Sequence, residues 1–374
     1  MKDSIIQAFF ALIRAGLWGT EVQLSDYGDI DYSSVMSLAE EQSVVGLVTA
    51  GLDCVKDVNV PQEWMLQFIG STLQIEQQNK VMNLFVARLI EKFRKEDIYA
   101  ILVKGQGIAQ CYEKPLWRCS GDVDLFLSDD NYEKAKKILM SMASSMEGEY
   151  VREKHLGMTI DEWVVELHGR LYSGLSSKIE RELDKVYEDT FYGGAVRSWD
   201  NNGVRVFLLK AENDVFYVFA HILQHFFKEG LGIRQVCDWC RLLWTYRDSL
   251  NYGLLESRIR KAGLMSEWRA FYALATKYLG MPEASGSMFQ VSGDKKWEKK
   301  ADKIMDFILM SGNMGHNRDM SHFSKYPYLI RKCVSMGRRI GDLINHARIF
   351  PMDSLRFFPR LMWNGARSAM RGEG

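Results

Sequence analysis

The sequence predicts an α+β protein in which a small mixed β-sheet lies between two helical regions. Apolar residues recur at helical spacing over most of the chain before residue 96 and after residue 209. Between these points short apolar runs alternate with helix-like segments, which is typical of a small α/β unit. We therefore predict an N-terminal helical region at 1–95, an α/β core at 96–209 and a C-terminal helical region at 210–374.

The N-terminal region carries helix signals alone. A first helix is predicted through Ala15, and Ser33-Ser34 precede a second. Pro61 occupies a helix-start position, and the apolar spacing after it predicts one long helix up to Lys95. We expect this region to form one wall of a cleft rather than to carry a separate activity.

The same kinds of pattern predict the strands and helices of the core and of the C-terminal region. Apolar or alternating runs predict strands at 99–103, 123–127, 149–160, 163–171 and 204–209. Helical spacing predicts helices at 106–113, 129–146 and 177–187, and, after the core, at 211–227, 233–244, 254–261 and 266–279.

Composition and charge narrow the function and the location. Lys+Arg and Asp+Glu number 48 each, and a chain without a basic surplus is not expected to bind a polynucleotide through its phosphates. Six cysteines are too few for a disulfide scaffold in a chain of this length. Gln7 and Arg14 interrupt the N-terminal apolar stretch, and no apolar run reaches about 18 residues. We expect no signal peptide, no membrane span and a cytoplasmic location.

The most informative segment contains Asp122-Val123-Asp124 on a predicted strand. Side chains alternate along a strand, so both aspartates point to one face while Val123 and Leu125 point into a core. Two carboxylates about 6.6 Å apart along the backbone can converge on a pair of divalent cations. Such pairs occur in two-metal phosphoryl-transfer sites.

These residues resemble a known family. The order strand, glycine turn, helix and D-x-D strand is similar to the nucleotidyltransferase superfamily that includes DNA polymerase beta. The chain more narrowly resembles the bacterial uncharacterised nucleotidyltransferases, over about residues 95–245. The resemblance is carried by Lys104-Gly105, Tyr112, Arg118, Gly121–Leu125 and Glu166-Leu167-His168, and more loosely by His221, His225, Arg234 and Asp238.

A third carboxylate is expected from a neighbouring strand. Glu166 lies between apolar neighbours, and a buried acidic side chain is costly unless its face opens onto a cleft or an ion. Asp122, Asp124 and Glu166 form the predicted metal-binding triad. Hard oxygen ligands favour Mg²⁺, and we expect two ions, with Mn²⁺ as a possible substitute. One would be held by all three carboxylates and the other by the two aspartates.

Nucleotide-binding residues are expected in the turn before the D-x-D strand. Gly105 and Gly107 would let the backbone approach a triphosphate, with Gln106 between them. The superfamily usually has Gly-Ser or Gly-Gly here, so Gln106 leaves a serine contact missing. Lys104 would neutralise phosphate charge, although a solvated surface lysine is the competing interpretation.

For each of three further residues, the sequence leaves two roles open. Arg118 is expected either to bind phosphate or to form an ordering salt bridge, with equal weight. Arg234 is predicted to pair with Asp238 four residues later or to help hold the nucleotide. His168 would orient a carboxylate or deprotonate an acceptor hydroxyl.

Other motifs favour structural roles. His221 and His225 share a helix face, and we expect them to line the cleft or to pack rather than to bind zinc. Residues 331–374 contain nine Lys+Arg and three acidic residues. We expect this basic tail to dock on the protein's own body, with RNA or a membrane surface as the alternative partner.

The resemblance implies magnesium-dependent transfer of a nucleoside monophosphate from an NTP to an unknown acceptor, with release of pyrophosphate. The acceptor would be a small molecule or a protein. The alternative is a catalytically inactive nucleotide-binding or protein-interaction module with the same fold.

Overall fold

A computed structural model describes residues 2–284, 286–313 and 328–370. Its centre is one mixed β-sheet, which confirms the predicted α+β class. The strands are β1 (Ala100–Val103), β2 (Asp122–Leu127), β3 (Ser145–Met146), β4 (His155–Ile160), β5 (Trp163–His168), β6 (Val196–Asn201) and β7 (Val204–Leu209). Their order across the sheet is β3-β4-β5-β2-β1-β7-β6.

The central strands are joined by both kinds of pairing. β2 is antiparallel to β1 and parallel to β5, and β1 is parallel to β7. Antiparallel pairs complete both ends of the sheet, β3-β4-β5 at one and β7-β6 at the other. β2 therefore lies in the middle, with a neighbour on each side to fix its register.

The helices before the sheet form the N-terminal part of the fold. They are α1 (Lys2–Trp18), α2 (Tyr32–Glu41), α3 (Val45–Leu52) and α4 (Gln62–Lys95). The long helix predicted from Pro61 is confirmed. Asp31 caps the start of α2, because its side chain accepts hydrogen bonds from the backbone N–H groups of Ser33 and Ser34.

The helices within and after the sheet complete the described chain. They are α5 (Gly105–Ala109), α6 (Asp129–Met140), α7 (Ser177–Phe191), α8 (Ala211–Lys228), α9 (Ile233–Thr245), α10 (Tyr252–Ala262), α11 (Met265–Leu279), α12 (Lys295–Ser311), α13 (Tyr328–Ala347) and α14 (Pro351–Met370). None of the helices within the described ranges has the length and apolar character needed to cross a membrane.

The two faces of the sheet belong to different hydrophobic cores. Val123 and Leu125 of β2 pack with residues of α4 and α6, whereas Phe126 belongs to the larger core that contains α1, α3, α8 and α9. The aspartates of β2 share the face of Phe126. The face that carries the candidate site is therefore the one that α8 and α9 cover.

Some sequence-based element bounds were wrong, and one strand was not predicted. β4 begins at His155 instead of residue 149, and α5 ends at Ala109 instead of residue 113. α6 ends at Met140 instead of 146, because Ser145 and Met146 pair with β4 as a short edge strand. β6 was not predicted, since its sequence VRSWDN has few apolar residues. The Asn202-Gly203 turn, in which both residues have positive φ, is the hairpin signal that could have revealed it.

The C-terminal tail docks in part on the protein's own body, as expected. The Arg356 guanidinium donates to the carbonyl oxygens of Ala262 and Gly263 at the end of α10, and to the Ser176 hydroxyl. A cation at a helix C-terminus is favourable because the last carbonyl groups carry negative charge. The side chains of Arg331, Lys332, Arg338, Arg339, Arg367 and Arg371 lie outside the described part of the chain.

Replacing Gly51 by alanine should destabilise the protein, because α1 and α3 cross with backbone in contact. A Cβ at Gly51 would lie 2.1 Å from the Leu12 carbonyl oxygen. We expect Gly51→Ala to lower the free energy of unfolding by at least about 1–3 kcal/mol. Gly70→Ala on α4 meets no atom within 4 Å and is the matched control; it should raise stability by about 0.5–1 kcal/mol. Urea denaturation followed by circular dichroism would measure both, and equal midpoints would contradict the close crossing.

Candidate active site

Three carboxylates converge on the central strands. The parallel register of β2 and β5 places Asp124 directly beside Glu166, with Asp122 one step before on the same face. One oxygen atom from each of Asp122, Asp124 and Glu166 lies within 4.8 Å of the other two. The structure thus brings together the three residues predicted to form the metal-binding triad.

The triad concentrates negative charge in a partly buried site. Asp124 is buried, and its negative charge, followed by burial, raises the pKa of the Asp122 carboxyl above its usual value. Lys104 partly offsets this repulsion, since its Nζ lies 2.7 Å from Asp124 Oδ1. Burial would lower the pKa of Lys104, but the neighbouring carboxylates outweigh burial and raise it. An oxygen-only donor set of this charge fits a hard divalent cation such as Mg²⁺.

Lys104 takes an unusual backbone conformation to reach Asp124. Its φ is +56° and its ψ is −147°, a region that residues with a side chain rarely adopt. Gly105 follows with φ +40°, and a Cβ there would lie 3.4 Å from the Asp122 carbonyl oxygen. The lysine–glycine turn therefore lies directly beside the start of β2.

Gln106 and Gly107 face the interior. The Gln106 amide donates to Asn79 Oδ1 on α4 at 2.8 Å. Asn79 in turn donates to the backbone carbonyls of Leu116 and Arg118. A Cβ on Gly107 would lie 2.7 Å from a methyl group of Leu208, so this glycine lets α5 pack against β7. Gln106 and Gly107 therefore both support the structure of the turn. Their predicted contact with a nucleotide stays a prediction.

Arg118 forms a buried salt bridge with Asp238 of α9. Its Nε and one terminal nitrogen donate to the two carboxylate oxygens at 2.8 and 2.7 Å, and its other terminal nitrogen donates to Ser120 Oγ. The Tyr112 hydroxyl donates to Asp238 as well. Of the two alternatives for Arg234, the pair with Asp238 along α9 is not formed, because the Asp238 carboxylate is engaged by Arg118. Through this salt bridge with Asp238, Arg118 orders the loop that precedes β2.

Arg234 lies close enough to Asp122 for its charge to act on that carboxyl group. Its guanidinium donates to the Cys119 carbonyl oxygen at 2.5 Å, and its charge works against the raised pKa of Asp122. Its Nε has no hydrogen-bond partner within the described residues. Arg234 thus brings positive charge from α9 to the edge of the triad.

His168 contacts two members of the triad. Its Nε2 lies 2.8 Å from Asp124 Oδ1 and 3.4 Å from Glu166 Oε2. Burial would lower the pKa of His168, but its bonds to Asp124 and Glu166 outweigh burial and raise it. Of the two predicted roles, the observed geometry matches that of orienting carboxylates.

The sequence analysis missed His155 and Tyr217. His155 of β4 is the register partner of His168, and its Nε2 lies 3.1 Å from Glu166 Oε2. Alternation along the β4–β5 hairpin was the sequence signal that could have identified His155.

Tyr217 of α8 is buried close enough for the charge of Lys104 to affect its pKa. His221 lies one turn further along α8, and its Nε2 is 2.9 Å from that of His225. The expectation that this pair lines the cleft or packs, rather than binds zinc, stays a prediction.

Comparison with known proteins supports the family resemblance. The family model described as uncharacterised nucleotidyltransferase matches residues 28–280, and the chain belongs to this family. A solved structure described as an antigenic nucleotidyltransferase-like protein from Paracoccidioides brasiliensis is 14% identical, with a TM-score of 0.33, over 55% of this chain and 95% of that one. No curated protein matches the chain. The family name places the protein among nucleotidyltransferases, whose substrate is an NTP.

Removal of the Asp238 carboxylate should destabilise the protein strongly. Asp238→Ala leaves the buried Arg118 guanidinium without its counter-ion, which typically costs about 3–5 kcal/mol. Tyr112→Phe removes a single hydrogen bond to the same carboxylate and should cost about 1 kcal/mol. Denaturant unfolding of both variants would measure the difference. Similar losses for the two would show that the salt bridge does not hold this loop.

Proposed function

We propose that this protein is a magnesium-dependent nucleotidyltransferase that transfers a nucleoside monophosphate from an NTP to an acceptor and releases pyrophosphate. The observation that carries the proposal is the convergence of Asp122, Asp124 and Glu166 beside Lys104 in a chain of this family. The acceptor would be a small molecule or a protein, and the balanced net charge argues against a polynucleotide.

The three carboxylates are the proposed cation ligands. Asp122 and Asp124 would each bind through one oxygen, and Glu166 would complete the set from β5. Divalent cations held there would neutralise phosphate charge and make the acceptor hydroxyl easier to deprotonate. Because strands rather than loops carry the ligands, their spacing is fixed before substrate binds.

Two cationic side chains are the proposed partners of the triphosphate. Lys104 ends β1 beside Asp124, and Arg234 approaches Asp122 from α9. The Gly105 backbone, free of a side chain, lies between β1 and β2 where phosphate oxygens would approach. Arg118 is proposed to act indirectly, since its guanidinium is engaged by Asp238.

His168 is proposed as a positioning residue. Its Nε2 lies against Asp124 and Glu166, so it fixes the side chains of two ligands from different strands. Such partners of metal ligands set ligand orientation and are typically worth about 10–100-fold in metal affinity or activity. The alternative role, proton removal from the acceptor, would require His168 to leave Asp124.

The second candidate function is a nucleotide-binding or protein-interaction module without catalysis. The position where the superfamily usually has serine or glycine carries Gln106, whose side chain is turned toward Asn79 on α4. No side-chain hydroxyl is therefore offered to a phosphate at this position, which favours the second candidate.

Divalent cations should stabilise the protein through the triad. A cation that binds the folded state alone at 100 times its dissociation constant adds about 2.7 kcal/mol. We expect Mg²⁺ or Mn²⁺ to raise the melting temperature of the wild type and to have much less effect on Asp122→Asn. Thermal unfolding with increasing cation would show this. An equal rise for both proteins would place the cation elsewhere.

Transfer activity should depend on the aspartate pair. Incubation of the full-length protein with α-labelled NTPs and Mg²⁺ should yield a labelled product together with pyrophosphate. Asp122→Ala/Asp124→Ala should lower the rate by more than the roughly 100-fold that loss of an outer-shell partner can cause. The measurement is product formation by mass spectrometry, with each NTP tested separately.

A matched variant separates chemistry from folding in that assay. Asp26→Ala/Asp29→Ala also removes two aspartates, but from an exposed turn before α2, and should keep full activity. Equal rates for the wild type and the Asp122/Asp124 variant would refute catalysis at this site. NTP binding without any product, measured by calorimetry, would select the second candidate function.

A further inference from the structure

A second group of potential metal ligands lies next to the triad. His155, Glu166 and His168 each offer one ligand atom, and these three atoms lie within 4.8 Å of one another. The set contains two imidazoles and one carboxylate, whereas the triad contains carboxylates alone. The two groups share Glu166 and are otherwise different in chemistry.

The spacing of this group matches a small coordination sphere. Zinc bonds of about 2.0–2.1 Å in a tetrahedron place neighbouring ligand atoms about 3.3–3.4 Å apart. Glu166 Oε2 lies 3.1 Å from His155 Nε2 and 3.4 Å from His168 Nε2. Two edges of the sphere thus have the required length already, and the ligand atoms of the two histidines lie within 4.8 Å of each other.

The β4–β5 hairpin holds these side chains in place. His155 and His168 are direct register partners, and Glu166 lies opposite Gly157, over which the Glu147 side chain lies. Exposed fractions of 25% for His155, 27% for Glu166 and 12% for His168 leave a path for an ion and for a water ligand. The site is therefore preformed and open on one side.

We propose that His155, His168 and Glu166 form a site for a divalent transition metal of the zinc type, distinct in ligand chemistry from the magnesium triad. Imidazole nitrogen favours Zn²⁺ and its neighbours in the first transition series, whereas Mg²⁺ prefers oxygen. With three protein ligands, one coordination position stays open, as in catalytic rather than structural zinc sites. This proposal goes beyond the transfer reaction and does not depend on it.

Occupancy of this site would change the triad. His168 Nε2 now lies 2.8 Å from Asp124 Oδ1, and the same nitrogen cannot bind a metal and keep that contact. A metal on the histidines would thus release Asp124 and engage Glu166 Oε2. The two sites are coupled through the side chains of Glu166 and His168.

The test uses Co²⁺ as a spectroscopic substitute for Zn²⁺. Full-length protein in Mg²⁺-free buffer is titrated with Co²⁺, and visible absorption is recorded, since four-coordinate Co²⁺ absorbs far more strongly than Co²⁺ surrounded by six oxygens. We expect a strong band in the wild type that Zn²⁺ abolishes by displacement. His155→Ala should remove the band and weaken Zn²⁺ binding at least about tenfold, measured by competition with a chromogenic chelator.

Two control variants locate the bound ion. Asp122→Asn changes the triad but leaves the proposed ligands, and His225→Ala removes one member of the histidine pair on α8; both should keep the band. A band that is absent from the wild type, unchanged in His155→Ala, or lost in either control would overturn the proposal. His155→Asn gives the same comparison if the alanine variant lacks the native far-UV spectrum. Because no step measures nucleotide transfer, failure of the proposed activity would not alter this result.

Discussion

The parallel pairing of β2 with β5 is the constraint on which the candidate site depends. It places Asp124 beside Glu166, although 42 positions separate them in the chain. A shift of one residue in this register would turn Glu166 toward the core formed with α4 and α6 and bring Val165 to the site. The buried Val123, Leu125 and Val165 oppose such a shift because they fill that core. Packing on one face of the sheet therefore determines the chemistry on the other.

Contacts from helices that precede and follow the sheet in the chain support this arrangement. Asn79 of α4 holds the carbonyl groups of the loop that carries Arg118, and Asp238 of α9 holds its guanidinium. The same loop leads directly into β2. The candidate site is therefore supported by residues that precede the sheet, belong to it and follow it. The predicted division of the chain at residues 95 and 209 stays a prediction. The residues that support the site come from all three of the predicted regions.

The sequence was sufficient where the signal is local. Alternation within D-V-D and V-E-L-H predicts which side chains share a face, and the structure places Asp122, Asp124 and Glu166 as that alternation requires. Pairings between distant segments have no such signal. Asp238, for example, meets Arg118 across 120 positions of the chain. Gln106 was assigned from its place in a glycine turn, but its orientation toward α4 depends on tertiary packing.

The backbone of Lys104 shows what the site demands of the chain. A left-handed conformation at this position would be relaxed for glycine, and the next residue is a glycine already. A lysine here accepts conformational strain so that its ammonium group reaches the buried Asp124. Glycine at 104 would relieve that strain but would leave the buried Asp124 without the ammonium group beside it. Residue 104 is thus a position where backbone conformation and charge compensation impose opposite requirements on the side chain.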